Sequence, residues 1–199
     1  AGARPRDHAV LVRANGDADP ILRSLNLAGV PWRFSGTSGL YGRAEIRVLL
    51  AFLRAIADPA SSTDVYALAA SPIYALGGED LSAIMGAVRR RHRSAWEVLE
   101  EVDAQPEALR LTGPGRAIVA RLVGDLRRFR DLGHRRPAGE VLYAFLRETG
   151  WLATLAAGES AAADEALATV ARFFAIVRGQ SALLADDHPG APPVAVVER

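Results

Sequence analysis

The side chains able to move protons, hold metals or grip anions are, in this sequence, four histidines, 23 carboxylates and 24 arginines; lysine and cysteine are absent. Without cysteine there is no disulfide, no thiolate zinc site and no cysteine nucleophile. Without lysine there is no Walker A loop, whose lysine must reach the β- and γ-phosphates, and no Schiff-base or protein-kinase chemistry. His8, His92, His134 and His188 are scattered, with no pair four residues apart. They offer no zinc spacing and read as solvated or capping groups, so no metal site is expected.

The carboxylates gather at Glu79-Asp80, at Glu100-Glu101 with Asp103, and at Asp186-Asp187. The first pair opens a helix, where negative charge complements the dipole, and the second reads as a solvated helix end. An acid/base pair would need unequal environments, and no motif marks one; no catalytic residue is assigned. The arginines cluster as Arg89-Arg90-Arg91 with Arg93, Arg127-Arg128 with Arg130, and Arg135-Arg136. The first two clusters fall at helix C-termini, where cations are favoured, and Arg121, Asp125 and Arg128 are spaced for surface ion pairs. Arginine also suits phosphate oxygens, so both readings stand. Arg43, Arg47 and Arg54 lie within about 40° of one another at helical pitch, either a ridge facing a partner or phosphate or an ordinary amphipathic boundary. The segment Ser71-Pro72-Ile73-Tyr74-Ala75-Leu76-Gly77-Gly78 precedes a helix. Its glycines and the helix N-terminus can cradle a phosphate through backbone amides; a plain tight turn uses the same residues.

The elements that must position these groups change along the chain. Ala9-Val10-Leu11-Val12 is long enough for a buried strand. Asp19-Pro20 reads as a helix start, with Ile21, Leu22, Leu25 and Ala28 on one face and Gly29 as the stop. Val30 to Phe34 reads as a second strand, completing a small βαβ-like unit. Two strands make a marginal sheet, so this piece is expected to belong to a larger one. From about residue 40 to 185 the pattern is helical. Ile46, Leu49, Leu50, Leu53 and Ile56 follow the 3.6-residue period, and further helices are expected through about 161–184, seven to nine in all. Gly113-Pro114-Gly115 reads as a break before a helix from about Arg116. The fold class expected is mainly α, a multi-helix domain preceded by a small α/β piece.

Length and balance fit that outline. A chain of 199 residues with 50% hydrophobic side chains buries roughly 70% of its unfolded surface and holds a core without staples. A formal net charge of +1 provides no global field toward nucleic acid. No run of about 18 apolar residues exists to span a membrane. The opening AGARPRDHAV lacks the apolar stretch of a signal peptide, and a cytoplasmic location is expected.

Three stretches line up in order with one family: AVLVRANGDADPILRSLNLAGVPWRFSG at 9–36, LYGRAEIRVLLAFLRAIADP at 40–59, and ALAASPIYALGGEDLSAI at 67–84. Together they resemble the C-terminal half of the UvrD/Rep/PcrA-type superfamily 1 DNA helicases. The later part, from Glu140-Val141-Leu142-Tyr143 through Trp151 to Phe173-Phe174, looks like the rest of that family's helical insertion. The resemblance implies that 1–38 open the second RecA-like motor domain (2A-like). It makes 39–185 the inserted helical 2B-like subdomain and 186–199 an exit segment toward the rest of the motor. Arg13 and Asn15 match family positions near the single-stranded DNA track, and Tyr41, Arg43 and Glu45 match the next motif, at the subdomain junction. Ile73, Tyr74, Gly77 and Gly78 match the hairpin that touches duplex backbone through amides. The family's Gly-Ile-Gly is here Leu76-Gly77-Gly78, and the basic residue usual before it is absent. The implied parent is an ATP-dependent 3′→5′ DNA helicase that takes ATP and Mg2+ on parts not in these residues. The chain by itself is expected to hold no cofactor and to turn over no ATP. Its partners would be DNA at a single-strand/duplex junction, through the parent, and proteins on the helical subdomain, with no membrane. The alternative is a stand-alone α-helical DNA- or protein-interaction module without enzymatic activity.

Overall fold

A computed structural model describes residues 4, 7–13, 15–32 and 38–187; of residues 15, 16, 19, 38, 39 and 180–187 it describes the backbone alone. Every regular element among the described residues is helical, and none is a strand. The chain divides into two compact units, Ala1–Arg43 and Ala44–Arg199.

In the first unit a short 3-10 turn, Asn15–Ala18, leads into α1 (Asp19–Leu27). Proline stands in the first turn of α1, where its missing N–H costs nothing. Gly29, at φ 65°, ends it. The Gly29 amide donates to Asn26 O (3.1 Å) and the Val30 amide to Leu25 O (2.9 Å), the paired bonds of a Schellman cap. The Trp32 indole donates to Asn26 Oδ1 (2.7 Å). A single turn, α2 (Ser38–Tyr41), follows.

Of the βαβ-like piece expected over 1–38, the described residues show only the helix. Residues 9–12 and 30–32 carry no strand, and Val10 and Leu11 stand 65% and 92% exposed. A strand exists only against a partner ladder, and none is available to them among the described residues. Residues 33 and 34 of the expected second strand, and the exit segment from 188 onward, lie outside the described residues.

The second unit is a bundle of eight α-helices among the described residues. They are α3 (Ala44–Ala57), α4 (Ser62–Ala69), α5 (Gly78–Arg91), α6 (Ala95–Ala104), α7 (Gly113–Gly133), α8 (Ala138–Glu148), α9 (Trp151–Ala156) and α10 (Ala161–Asp187). Their order follows the sequence pattern: α3 buries Ile46, Leu49, Leu53 and Ile56, with Phe52 joining the stripe and Leu50 left at its edge. Helix α3 runs through the middle, touching α4, α7, α8 and α10. Its Phe52 ring stacks on Phe145 of α8 at 3.7 Å between centroids, and Phe129 of α7 meets both rings edge-on at 5.5 and 5.6 Å. All three rings are fully buried, so one aromatic cluster, held by area and by edge-to-face geometry, ties three helices. On the other side α6 packs against α4, α5 and α7.

Side chains close three helix starts among the described residues, and at α10 Ser160 Oγ accepts from the Ala163 amide (3.2 Å). Ser94 forms a capping box on α6, its Oγ accepting from the Glu97 amide (3.2 Å) while the Ser94 amide donates to Glu97 Oε2 (2.8 Å). The expected break at Gly113-Pro114-Gly115 is instead the first turn of α7, capped by Thr112. Proline tolerates this position because its N–H would be unpaired there anyway.

Candidate functional site

The segment between α4 and α5 is folded on itself by backbone bonds. The Ser71 amide donates to Leu68 O (3.0 Å), the Ala75 amide to Ser71 O (2.7 Å) and the Leu76 amide to Ala69 O (3.0 Å). Ala75 takes the left-handed conformation, φ 51°. Its side chains sort by face. Ser71, Ile73, Tyr74 and Leu76 are buried, whereas Ala75, Gly77, Gly78 and Glu79 are exposed. Besides Pro72 and Ala75, the segment offers the outside the main chain of Gly77 and Gly78, at the start of a 14-residue helix whose N-cap, Gly77, has no side chain to satisfy the first amides.

Two long-range contacts hold this segment in place. Asp80, buried in the first turn of α5, accepts from the Thr112 amide (2.8 Å) and from its hydroxyl (2.6 Å). Thr112 Oγ1 in turn accepts from the Gly115 amide (3.0 Å). Gly115 is required there, because a Cβ on it would stand 2.1 Å from Asp80 Oδ2. The Tyr74 hydroxyl donates to Asp125 Oδ2 on α7 (2.9 Å), and the Arg121 guanidinium lies 5.3 Å from the Tyr74 ring centre. Burial pushes the Tyr74 phenol well above the ordinary tyrosine range, and the Asp125 carboxylate adds to the shift. The group is a fixed donor at all working pH values, not a proton shuttle. Asp125 also meets Arg128 (3.1 Å) and Arg121 (3.8 Å), and Arg128 pairs with Glu148 of α8.

The arginine clusters are largely engaged within the bundle. Arg91 and Arg93 both reach Glu101 of α6, and Arg127 bridges Glu100 (3.1 Å) and Asp103 (3.1 Å). Arg136 pairs with Glu140 (3.4 Å). Arg89, Arg90, Arg130 and Arg135 are exposed and have no ion pair among the described residues. On α3, Arg47 and Arg54 are exposed in the same way. Of the carboxylate groupings noted in the sequence, Glu100-Glu101 with Asp103 serves as partner for arginine, whereas Asp80 is bonded to Thr112. Among the described residues no three His, Asp or Glu side chains are grouped to hold a metal, and no helix is long and apolar enough to cross a membrane.

The candidate residues from the sequence fall into both units. Arg13, Asn15, Tyr41 and Arg43 belong to the first, where Arg13 is exposed and Tyr41 is 41% exposed; the Asn15 side chain lies outside the described ones. Ile73, Tyr74, Gly77 and Gly78 come together in the second, but Ile73 and Tyr74 point inward. Sequence reasoning missed Thr112, Gly115 and Asp125 as the supports of this segment. The threonine three residues before Gly115 carried a capping signal; Asp125, 51 residues from Tyr74, carried none beyond its helical neighbours.

Known proteins share parts of this sequence. Residues 2–100 match the model of the UvrD-like helicase C-terminal domain. The chain is 30% identical over 159 residues to an ATP-dependent helicase/nuclease protein of Heliobacterium modesticaldum, covering 75% of the chain and 11% of that protein. It is 32% identical over 96 residues to the ATP-dependent DNA helicase srs2 of Schizosaccharomyces pombe, covering 48% and 11%. It is 24% identical over 136 residues to the ATP-dependent DNA helicase Rep of Salmonella typhimurium, covering 68% and 20%. The chain thus spans between 11% and 20% of the length of these relatives.

Proposed function

We propose, from the match of residues 2–100 to the model of the UvrD-like helicase C-terminal domain, that the chain is part of an ATP-dependent 3′→5′ DNA helicase of the UvrD type. In this reading 1–38 belong to the second motor domain. The helical residues 39–185 are the accessory 2B-like subdomain, which gates unwinding and contacts DNA or protein partners, and 186–199 lead back to the motor. Support for the first part comes from Val10 and Leu11, apolar, exposed and without a ladder. They are what an element of a larger sheet would look like without its neighbours. ATP and Mg2+ would bind other parts of the parent in the cytoplasm. The residues present do not fit a Walker A site, since none is lysine. Arg13 and Asn15 would serve the single-strand track, and Tyr41 and Arg43 would contact DNA at the subdomain junction.

One observation carries the DNA contact: the exposed Gly77 and Gly78 present backbone at a helix start that no side chain caps. Gly77 and Gly78 let a phosphate approach the amides closely, while Ile73 and Tyr74 act from inside by shaping the turn. Glu79, exposed beside them, weakens the attraction. A second reading is favoured by a different observation, the engagement of Arg91, Arg93, Arg127 and Arg128 with internal carboxylates. A bundle that neutralises its own cations suits a protein-contact module better than a broad electrostatic DNA surface. The test is an anisotropy titration of a labelled duplex bearing a 3′ single-stranded tail, run at several salt concentrations. The DNA reading expects affinity that falls linearly in log–log form as salt rises. Affinity no better than that of a neutral control protein would leave the protein-contact reading.

A further inference from the structure

A groove of about 750 Å³ lies between α8 and α10, far along the chain from the 71–78 segment and unused by the reading above. Its size is that of a small-ligand pocket. On its wall Tyr143 is 48% exposed. Phe174 of α10 meets Tyr143 edge-on at 6.4 Å, and the Arg147 guanidinium lies 5.8 Å from the Tyr143 ring centre. Arg178 lays its stem on Gly139, where a Cβ would stand 3.0 Å from Arg178 Cγ. Its guanidinium has no carboxylate partner among the described residues. Arg136, also on the lining, pairs with Glu140 at 3.4 Å, with both side chains more than half exposed. Such a pair is worth little in water and opens readily to a stronger anion.

An aromatic face beside cations that lack firm partners has one occupant that uses both. An acidic peptide would engage the arginines and leave the ring face idle. A duplex shows phosphates but no open base. A single strand offers a base to stack on Tyr143 and phosphates to Arg178 and Arg136, the combination of platform and cations that binds single strands without sequence preference. We propose that the α8–α10 groove is a single-stranded DNA site, with Tyr143 as the stacking platform and Arg178 as the principal phosphate contact. The inference rests on the DNA reading above and gives the helical unit a second contact, on unpaired strand.

The test uses the whole chain and a labelled oligothymidylate, with a blunt duplex measured in parallel. Tyr143→Ala should weaken oligothymidylate binding about tenfold or more, the loss of one base–aromatic stack, while Tyr143→Phe stays near wild type. Arg178→Gln should lower the slope of log K against log salt by about 0.7, and Arg89→Gln, an exposed arginine away from the groove, should move neither affinity nor slope beyond a general charge effect. Tyr143 and Arg178 are at the surface, so the variants are expected to keep the wild-type circular dichroism. Duplex affinity that ignores Tyr143→Ala, beside oligothymidylate affinity that does not, would support the groove. If the duplex fails to bind while the Tyr143-dependent oligothymidylate binding remains, the 71–78 contact falls and the groove stands. Oligothymidylate binding that is absent, or indifferent to both substitutions, overturns the groove whatever the duplex does. Displacement by poly-glutamate with the same sensitivity to Tyr143→Ala also overturns it, in favour of an acidic polypeptide.

Discussion

A single methyl group at residue 115 should cost this bundle more than most core truncations of similar size. A Cβ on Gly115 would stand 2.1 Å from Asp80 Oδ2, 2.5 Å from its Cγ and 2.9 Å from Thr112 Oγ1. The carboxylate cannot retreat without releasing the Thr112 amide and hydroxyl, bonds of 2.8 and 2.6 Å. Hydrogen bonds to a charged group contribute about 1.5 kcal/mol or more each, so their loss costs about 3 kcal/mol. Strain in the Thr112 cap adds about 1 kcal/mol, and the better helix propensity of alanine returns about 1 kcal/mol. The net is about 3 kcal/mol destabilising. Gly124, in the same helix, has nothing within 4 Å of its Cβ position, so Gly124→Ala should stabilise by up to about 1 kcal/mol. Urea titrations followed by far-UV circular dichroism at neutral pH should place the two midpoints about 2 M apart at a slope of about 2 kcal/mol/M. In an Asp80→Ala background the Gly115→Ala penalty should shrink to a fraction, because the obstacle is gone. A Gly115→Ala midpoint within about 0.3 M of wild type would refute the clamp, as would an undiminished penalty in the double variant.

Other contacts can be probed one side chain at a time. Tyr74→Phe keeps the ring and leaves Asp125 without its phenol donor; thermal melts should show a loss of about 1–2 kcal/mol, with no change in helix content. Ser71 Oγ is buried without a hydrogen-bond partner, so Ser71→Ala should be neutral or stabilising by up to about 1 kcal/mol in the same melts. Glu97 is held below its ordinary value of 4.5 by the bond from the Ser94 amide and then by the Ser94 hydroxyl. The unfolded chain therefore binds this proton more readily than the folded one. The contribution of Glu97 is complete above 4.5 and is lost as pH falls through the lower folded value. The stability difference between wild type and Glu97→Gln, measured by denaturation across acid pH, should be flat at neutrality and shrink below 4.5. Glu79→Gln removes a carboxylate exposed beside the proposed phosphate site. Junction affinity should rise about two- to fivefold, the scale of a surface charge interaction.

Local signals in the sequence were sufficient for most of the helices. The stripe on α3 and the Gly29 stop each lie within a few residues of what they control, and each appears in the structure. The same locality explains the failures. Ala9–Val12 has strand-like composition, but a strand is a pairing, and its ladder is not among the described residues. Gly113-Pro114-Gly115 has the composition of a break, yet the close approach of Asp80 requires a glycine in what is the first turn of α7. Asp80 and Thr112 are 32 residues apart, so no periodicity connects them. At the 71–78 segment the glycines and the helix start could be read from the residues. The inward turn of Ile73 and Tyr74 could not, because apolar and aromatic residues in a short loop fit a core and a ligand face equally well until packing chooses.

The most direct test of the proposed DNA contact is an amide chemical-shift titration of the 15N-labelled chain with a duplex bearing a 3′ single-stranded tail. The amides of Gly77, Gly78 and Glu79 are expected to shift progressively to saturation, while those of Ile73 and Tyr74, turned inward, move less. Saturation of the DNA with the three outward amides unmoved and the largest shifts elsewhere on the bundle would contradict the contact.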